Sequence, residues 1–157
     1  MEKALYDYST ISNYIIAKCN QDEKAITNLR LQKILYYVQG YFLRTYHESA
    51  FASDIEAWTY GPVVPDSYYD FCLNGAREIH LSQESIDENL NKIETHQHVR
   101  LLNNVIDACM NIPISQLVNK THSERPWKDS KKDYSREKIS KEIIQNYFSD
   151  NDPLNLK

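Results

Sequence analysis

Residues 29–43, L-R-L-Q-K-I-L-Y-Y-V-Q-G-Y-F-L, place Leu31, Leu35, Val38 and Phe42 at helical steps, with Ile34 and Tyr41 widening the stripe. Thr27 or Asn28 can cap this helix, because either side chain accepts a bond from an otherwise orphan backbone N–H. Past Tyr46-His47 the period changes. In residues 54–60, D-I-E-A-W-T-Y, Ile55, Ala57 and Thr59 alternate with Glu56, Trp58 and Tyr60, which is the step of a short strand. Gly61-Pro62 then reads as its end, since proline removes a ladder donor. A strong helix tied to so short a strand predicts a mainly α fold: a compact single-domain multi-helix bundle with a small β element near residues 54–60.

The remaining segments fit that frame. Leu5, Tyr8, Ile11, Ser12, Ile15 and Ile16 make one helical face over residues 3–19. Pro65-Asp66 can start a third helix that stops at Asn74-Gly75, and residues 85–90 make a short one. Thr95 caps a helix carrying Val99, Leu102, Val105, Ile106 and Cys109. Ile112-Pro113-Ile114 breaks it, Ser115 caps residues 116–121, and residues 123–132 read as a loop around Pro126-Trp127. A last amphipathic helix covers residues 135–148 on Ile139, Ile143, Ile144 and Tyr147, and residues 149–157 read as a frayed tail. Residues 78–81 or 90–94 are the expected strand partners.

Composition removes several classes of function. With 18 basic and 22 acidic residues in 157, the net charge is −4, so there is no general field for gripping nucleic acid. The basic residues Arg125, Lys128, Lys131, Lys132, Arg136, Lys138 and Lys141 alternate with Glu124, Asp129, Asp133, Glu137 and Glu142, the pattern of a solvated face. No basic recognition helix stands beside a glycine-bearing turn. Cys19, Cys72 and Cys109 form no CxxC pair and read as small buried hydrophobes in a reducing compartment. Without a signal peptide or an apolar run of about 18 residues, the expected location is the cytoplasm, with no membrane partner.

Catalytic chemistry is equally hard to assemble. His96 and His98 diverge on a helix and lack further ligands nearby, and Gly40, Gly61 and Gly75 cannot make a phosphate loop. No cofactor is expected. His122 reads as a hydrogen-bonded structural residue, with a base role as the alternative. A carboxylate pair distant in sequence would leave no trace, so an uncharacterised hydrolase stays open. What remains is an aromatic contact surface of Trp58, Tyr60, Pro62, Pro65, Tyr68 and Trp127, the residue types that anchor interfaces. For the two tryptophans a core-filling role is the standing alternative.

Three segments carry a resemblance to a known family: L-Q-K-I-L-Y-Y-V-Q-G-Y-F-L (residues 31–43), I-E-A-W-T-Y-G-P-V-V-P-D-S-Y (residues 55–68) and L-V-N-K-T-H-S-E-R-P-W-K-D (residues 117–129). In that order they resemble the Panacea antitoxin domain, also called SocA-like or GepA-type. The resemblance implies a domain over residues 1–148, a bacterial, phage or mobile-element origin, and a non-enzymatic antitoxin that neutralises a cognate toxin by direct contact. It also implies, for one branch, an adaptor that delivers a toxin to a ClpXP-type protease. DNA binding requires an added segment for which this chain has no room. The matching positions are Gln32, Lys33, Tyr36 and Gln39 on the helix, Trp58, Tyr60, Gly61, Pro62 and Pro65 on the turn, and His122, Pro126 and Trp127 late in the chain. Gly61, Pro62 and Pro126 are expected to be scaffold. The polar positions of the helix, with Trp58, Tyr60, Pro65, Tyr68, His122 and Trp127, are the expected partner contacts. The acidic net charge favours a basic toxin.

Overall fold

The computed structural model describes residues 3–156. In chain order these form α1 (Tyr8–Gln21), α2 (Asn28–Tyr46), β1 (Ile55–Trp58), β2 (Gly61–Val63), α3 (Pro65–Asp70), a single 3-10 turn (Cys72–Asn74), α4 (Gln83–Leu90), α5 (His96–Met110), α6 (Ile114–Ser123), α7 (Arg125–Ser130), β3 (Lys138–Ile139) and α8 (Lys141–Asp150). The mainly α architecture with a small β element is as the sequence predicts.

The whole fold is arranged around α2. Thr27 Oγ1 accepts the Arg30 N–H, and His47 in the left-handed region closes the far end by donating its N–H to Leu43 O. Between them every residue from 31 to 43 is buried. The predicted stripe is therefore one side of a helix that is enclosed all round, by α1, α5, α6, α8 and β2. A helix in this position exposes no face, so its polar residues need partners inside the protein.

Four local expectations are corrected. Gly61-Pro62 does not end the sheet: Trp58 pairs with Gly61 across Thr59-Tyr60, and the chain returns as β2, antiparallel to β1. Pro62 is tolerated because β2 is an edge strand. The other partner of β1 is β3, neither of the two segments expected, so the order is β2-β1-β3. Residues 125–130 are helix rather than loop, started by Pro126 in the first turn. Cys72 is exposed, unlike buried Cys19 and Cys109, because α3 ends at Asp70 and leaves it on a surface turn.

The C-terminal helix also differs. The helix starts at Lys141 rather than at residue 135, capped by Ser140, which accepts the Ile143 N–H at 3.1 Å. The segment read as a frayed tail is tied down instead: Tyr41 Oη donates to Asp152 Oδ1 at 2.6 Å and accepts the Leu154 N–H at 2.8 Å. Phe148 on α8 is fully buried and meets Tyr36, Tyr37 and Tyr41 edge-on, with ring centroids 5.7, 6.2 and 5.2 Å away. A methyl group on Gly40 would overlap the Phe148 ring, so glycine is what lets α8 approach α2. Gly40→Ala should lower unfolding free energy by about 1–3 kcal/mol, the usual penalty for overpacking, read by urea denaturation.

Candidate functional site

The polar residues of α2 are built into the fold. Gln32 accepts the Val64 N–H on Oε1 at 2.9 Å and donates through Nε2 to Asn28 Oδ1 at 2.9 Å and to Ser67 Oγ at 3.4 Å. Gln39 accepts the Ala50 N–H at 2.7 Å and donates to Phe51 O at 2.8 Å. Tyr36 and Tyr37 each donate, at 2.9 Å, to a different oxygen of Glu124. Lys33 Nζ donates to Pro62 O at 2.8 Å. Four of the ten expected contact residues, Gln32, Lys33, Tyr36 and Gln39, thus have no exposed surface to offer a partner. Each uses its hydrogen-bonding groups to fix a loop or helix end.

Lys33 and Glu124 respond to burial in opposite directions. Loss of hydration moves the Lys33 amine down to about 7. Burial pushes the Glu124 carboxyl up to about 7, against the pull of the two tyrosine hydroxyls and of Lys120, whose Nζ is 3.9 Å away. Gly61 sits over the lysine with φ +117°, and a Cβ there would lie 2.8 Å from Thr121 Oγ1 and 3.0 Å from Lys33 Cε.

The β1–β2 hairpin carries the exposed chemistry. Tyr60 at its tip is 68% exposed, whereas Trp58 is nearly buried and donates its indole N–H to Glu56 Oε1 at 2.8 Å. Tyr68 packs edge-on to Trp58 with centroids 5.0 Å apart, and Tyr69 lies 6.2 Å from the same ring. Pro65 starts α3 and is half-buried. Trp127 anchors the hairpin from behind: its indole N–H donates to Trp58 O at 2.7 Å, and its ring stacks on His122 at 4.0 Å. His122 Nε2 is buried with no hydrogen-bond partner among the described residues, and its imidazole is held below the ordinary histidine range by burial, then by the Lys33 charge, with the Thr59 backbone pulling the other way. Pro126 is buried in the turn that brings Trp127 there. Both tryptophans are thus mainly structural, while Tyr60 and the edge of Tyr68 stay accessible.

These elements enclose a cavity of about 400 Å³ between the N-terminal turn of α2, the hairpin, α3 and the turn at Gly75-Ala76. Gln32, Lys33, Trp58, Tyr60 and Tyr68, all singled out from sequence, line it together. Arg136 was not: it closes one side with its guanidinium 3.7 Å above the Trp58 ring. The sequence signal for Arg136 is only its place among mixed charges. His122 and Trp127 lie behind the hairpin and do not line this cavity.

The other reactive side chains are placed as follows. Burial pushes the Cys19 thiol up to about 12 and the Cys109 thiol up as well, which suppresses thiolate at both. His98 Nδ1 is 2.6 Å from Tyr6 Oη, and His96 pairs with Arg100 on the opposite face. Among the described residues no cluster of three or more metal-ligating side chains occurs, and no helix is long and apolar enough to cross a membrane.

Comparison with known proteins decides the family. A family model described as "Antitoxin SocA-like, Panacea domain" matches residues 31–128. The chain belongs to the SocA-like, Panacea-domain antitoxins. Antitoxin SocA of Caulobacter vibrioides (strain NA1000 / CB15N) is 36% identical over 73 residues, 46% of this chain. The matched part spans 39% of that relative's length. No solved structure matches. The Panacea match starts in α2 and ends in α7, so it contains the buried polar row, the hairpin and the Trp127 anchor. Arg136 lies beyond it.

The buried ion sites make pH a probe of this Panacea core. Between its ordinary 4.5 and about 7, Glu124 holds a proton more firmly when folded, so its contribution to stability falls as pH rises through that window. Between about 7 and its ordinary 10.5, Lys33 is more protonated when unfolded, so its contribution rises with pH. The wild type minus Glu124→Gln stability difference should therefore fall from pH 5 to 7, and the wild type minus Lys33→Met difference should rise from pH 7 to 9. Urea midpoints across this range test both signs.

Proposed function

We propose that the chain is a cytoplasmic antitoxin that neutralises a cognate toxin by binding it directly, without catalysis. Membership of the SocA-like, Panacea-domain family carries this reading, and the printed name of the Caulobacter relative is consistent with it. The surface that serves it best is the face around the cavity. Among the described residues six large hydrophobic side chains are exposed: Leu29 and Tyr60 line that cavity, Tyr69 lies against its Trp58 wall, and Leu73 is in the turn that leads into Gly75. Leu73 is 91% exposed. Tyrosines and aliphatic groups gathered around a concave, partly apolar site are the composition of an interface centre.

The test is co-expression with the toxin of the same locus. The wild-type chain should restore growth while toxin abundance stays unchanged. Tyr69→Asp combined with Leu73→Asp should abolish rescue and toxin binding by at least about tenfold, the loss of about 1.4 kcal/mol or more, with the circular dichroism spectrum unaltered. Protease-dependent disappearance of toxin would instead make the chain an adaptor. Rescue by a variant that no longer binds toxin would overturn binding in favour of an enzymatic role.

A further inference from the structure

The cavity has a charge character opposite to that of the chain. Against a net charge of −4 overall, the residues around it include one exposed cation, Arg136, a buried lysine, Lys33, and neither Asp nor Glu. Its walls are Leu29, Val63, Trp58 and Tyr68, more apolar than polar. Arg136 is exposed, and among the described residues it forms no ion pair: its guanidinium lies over the Trp58 ring and donates only weakly to Tyr69 Oη at 3.5 Å. Most of its five N–H donors are therefore free for a ligand, in a plane already fixed by the indole. The nearest carboxylate on the hairpin, Glu56, is occupied at the Trp58 indole N–H. Lys33 is buried behind the inner wall, and Pro62 O is its one hydrogen-bond acceptor among the described residues.

We propose that this cavity receives an acidic side chain of the toxin together with a neighbouring apolar side chain, the carboxylate on Arg136 and the apolar group against Trp58, Tyr68 and Leu29. The assignment rests on the antitoxin reading above and adds to it the chemistry of the contact. It also reverses the expectation from net charge: whatever charge the toxin carries as a whole, the element that enters here is acidic. A planar guanidinium already stacked on an aromatic ring loses little freedom on binding, and the apolar walls reduce solvent screening of the new ion pair. Arg136 lies outside residues 31–128, so this contact is supplied from beyond the segment the family model matches.

The chemistry can be read without the toxin, using N-acetyl-phenylalanine as a carboxylate probe and N-acetyl-phenylalanine amide as its neutral counterpart. In an amide NMR titration of the full chain, the carboxylate should shift the Trp58 indole N–H and the Gly75 and Ala76 amides, with an affinity about tenfold above that of the amide, as expected for one charge-assisted contact. Arg136→Gln, a change at an exposed position, should abolish the preference and leave the fold intact. Equal affinity for the two probes, shifts located elsewhere, or a preference that survives Arg136→Gln would overturn the carboxylate site. In the co-expression assay Arg136→Glu should lose rescue. Undiminished rescue by Arg136→Glu, with the probe preference of the wild type intact, would overturn the toxin contact while leaving the cavity's chemistry standing. Failure of the wild-type chain to rescue would reject the antitoxin reading itself.

Discussion

Every polar side chain on the middle of α2 has to be satisfied by something other than water. Gln32, Lys33, Tyr36, Tyr37 and Gln39 all lie on a helix with no open face, and an unpaired buried group costs on the order of 1–3 kcal/mol. Their partners come from four separate places: the start of α3, the carbonyl of Pro62, the residue between α6 and α7, and the backbone at Ala50-Phe51. The helix therefore dictates where loops and short elements sit. β2 is held at Pro62 by the lysine, and Glu124, the residue that precedes α7, is held by the two tyrosines.

That constraint explains how the face around the cavity comes to be fixed. The hairpin is fixed on its inner side by Lys33 and from behind by Trp127, whose indole reaches the carbonyl of Trp58. Gly61 permits the close approach of Lys33 and of Thr121. A contact surface carried on a two-residue turn between short strands would otherwise be soft. Here its base is set by the core, and only Tyr60 and the outer residues of α3 and the following turn face outward.

How much of this could be read from sequence depends on the range of the interactions. The apolar stripes of α1, α2 and α5 were legible because periodicity is a local signal, and Thr27 was legible as a cap for the same reason. The burial of the other side of α2 was not, since Gln32 or Tyr36 on a helix looks solvated until its distant partner is known. Gly61-Pro62 signals a stop by its own chemistry, and only pairing with β1 shows that the strand doubles back. The six-residue α7 gave too few turns for a pattern and contained Pro-Trp, which reads as a loop. The motif residues Trp58, Tyr60 and Tyr68 were found with their cavity, but Arg136 was hidden among alternating charges because its role depends on a ring far away in the chain.

Phe148 against Gly40 has a consequence for the order in which the molecule can assemble. The aromatic row of α2 is closed by a ring that is made about a hundred residues later, and Tyr41 waits for Asp152 and Leu154. A nascent chain that has already wound α2 still holds Tyr36, Tyr37 and Tyr41 without their cover. Enclosure of the central helix thus needs both early and late parts of the chain, and its cover is complete only once α8 and the residues after it have been made.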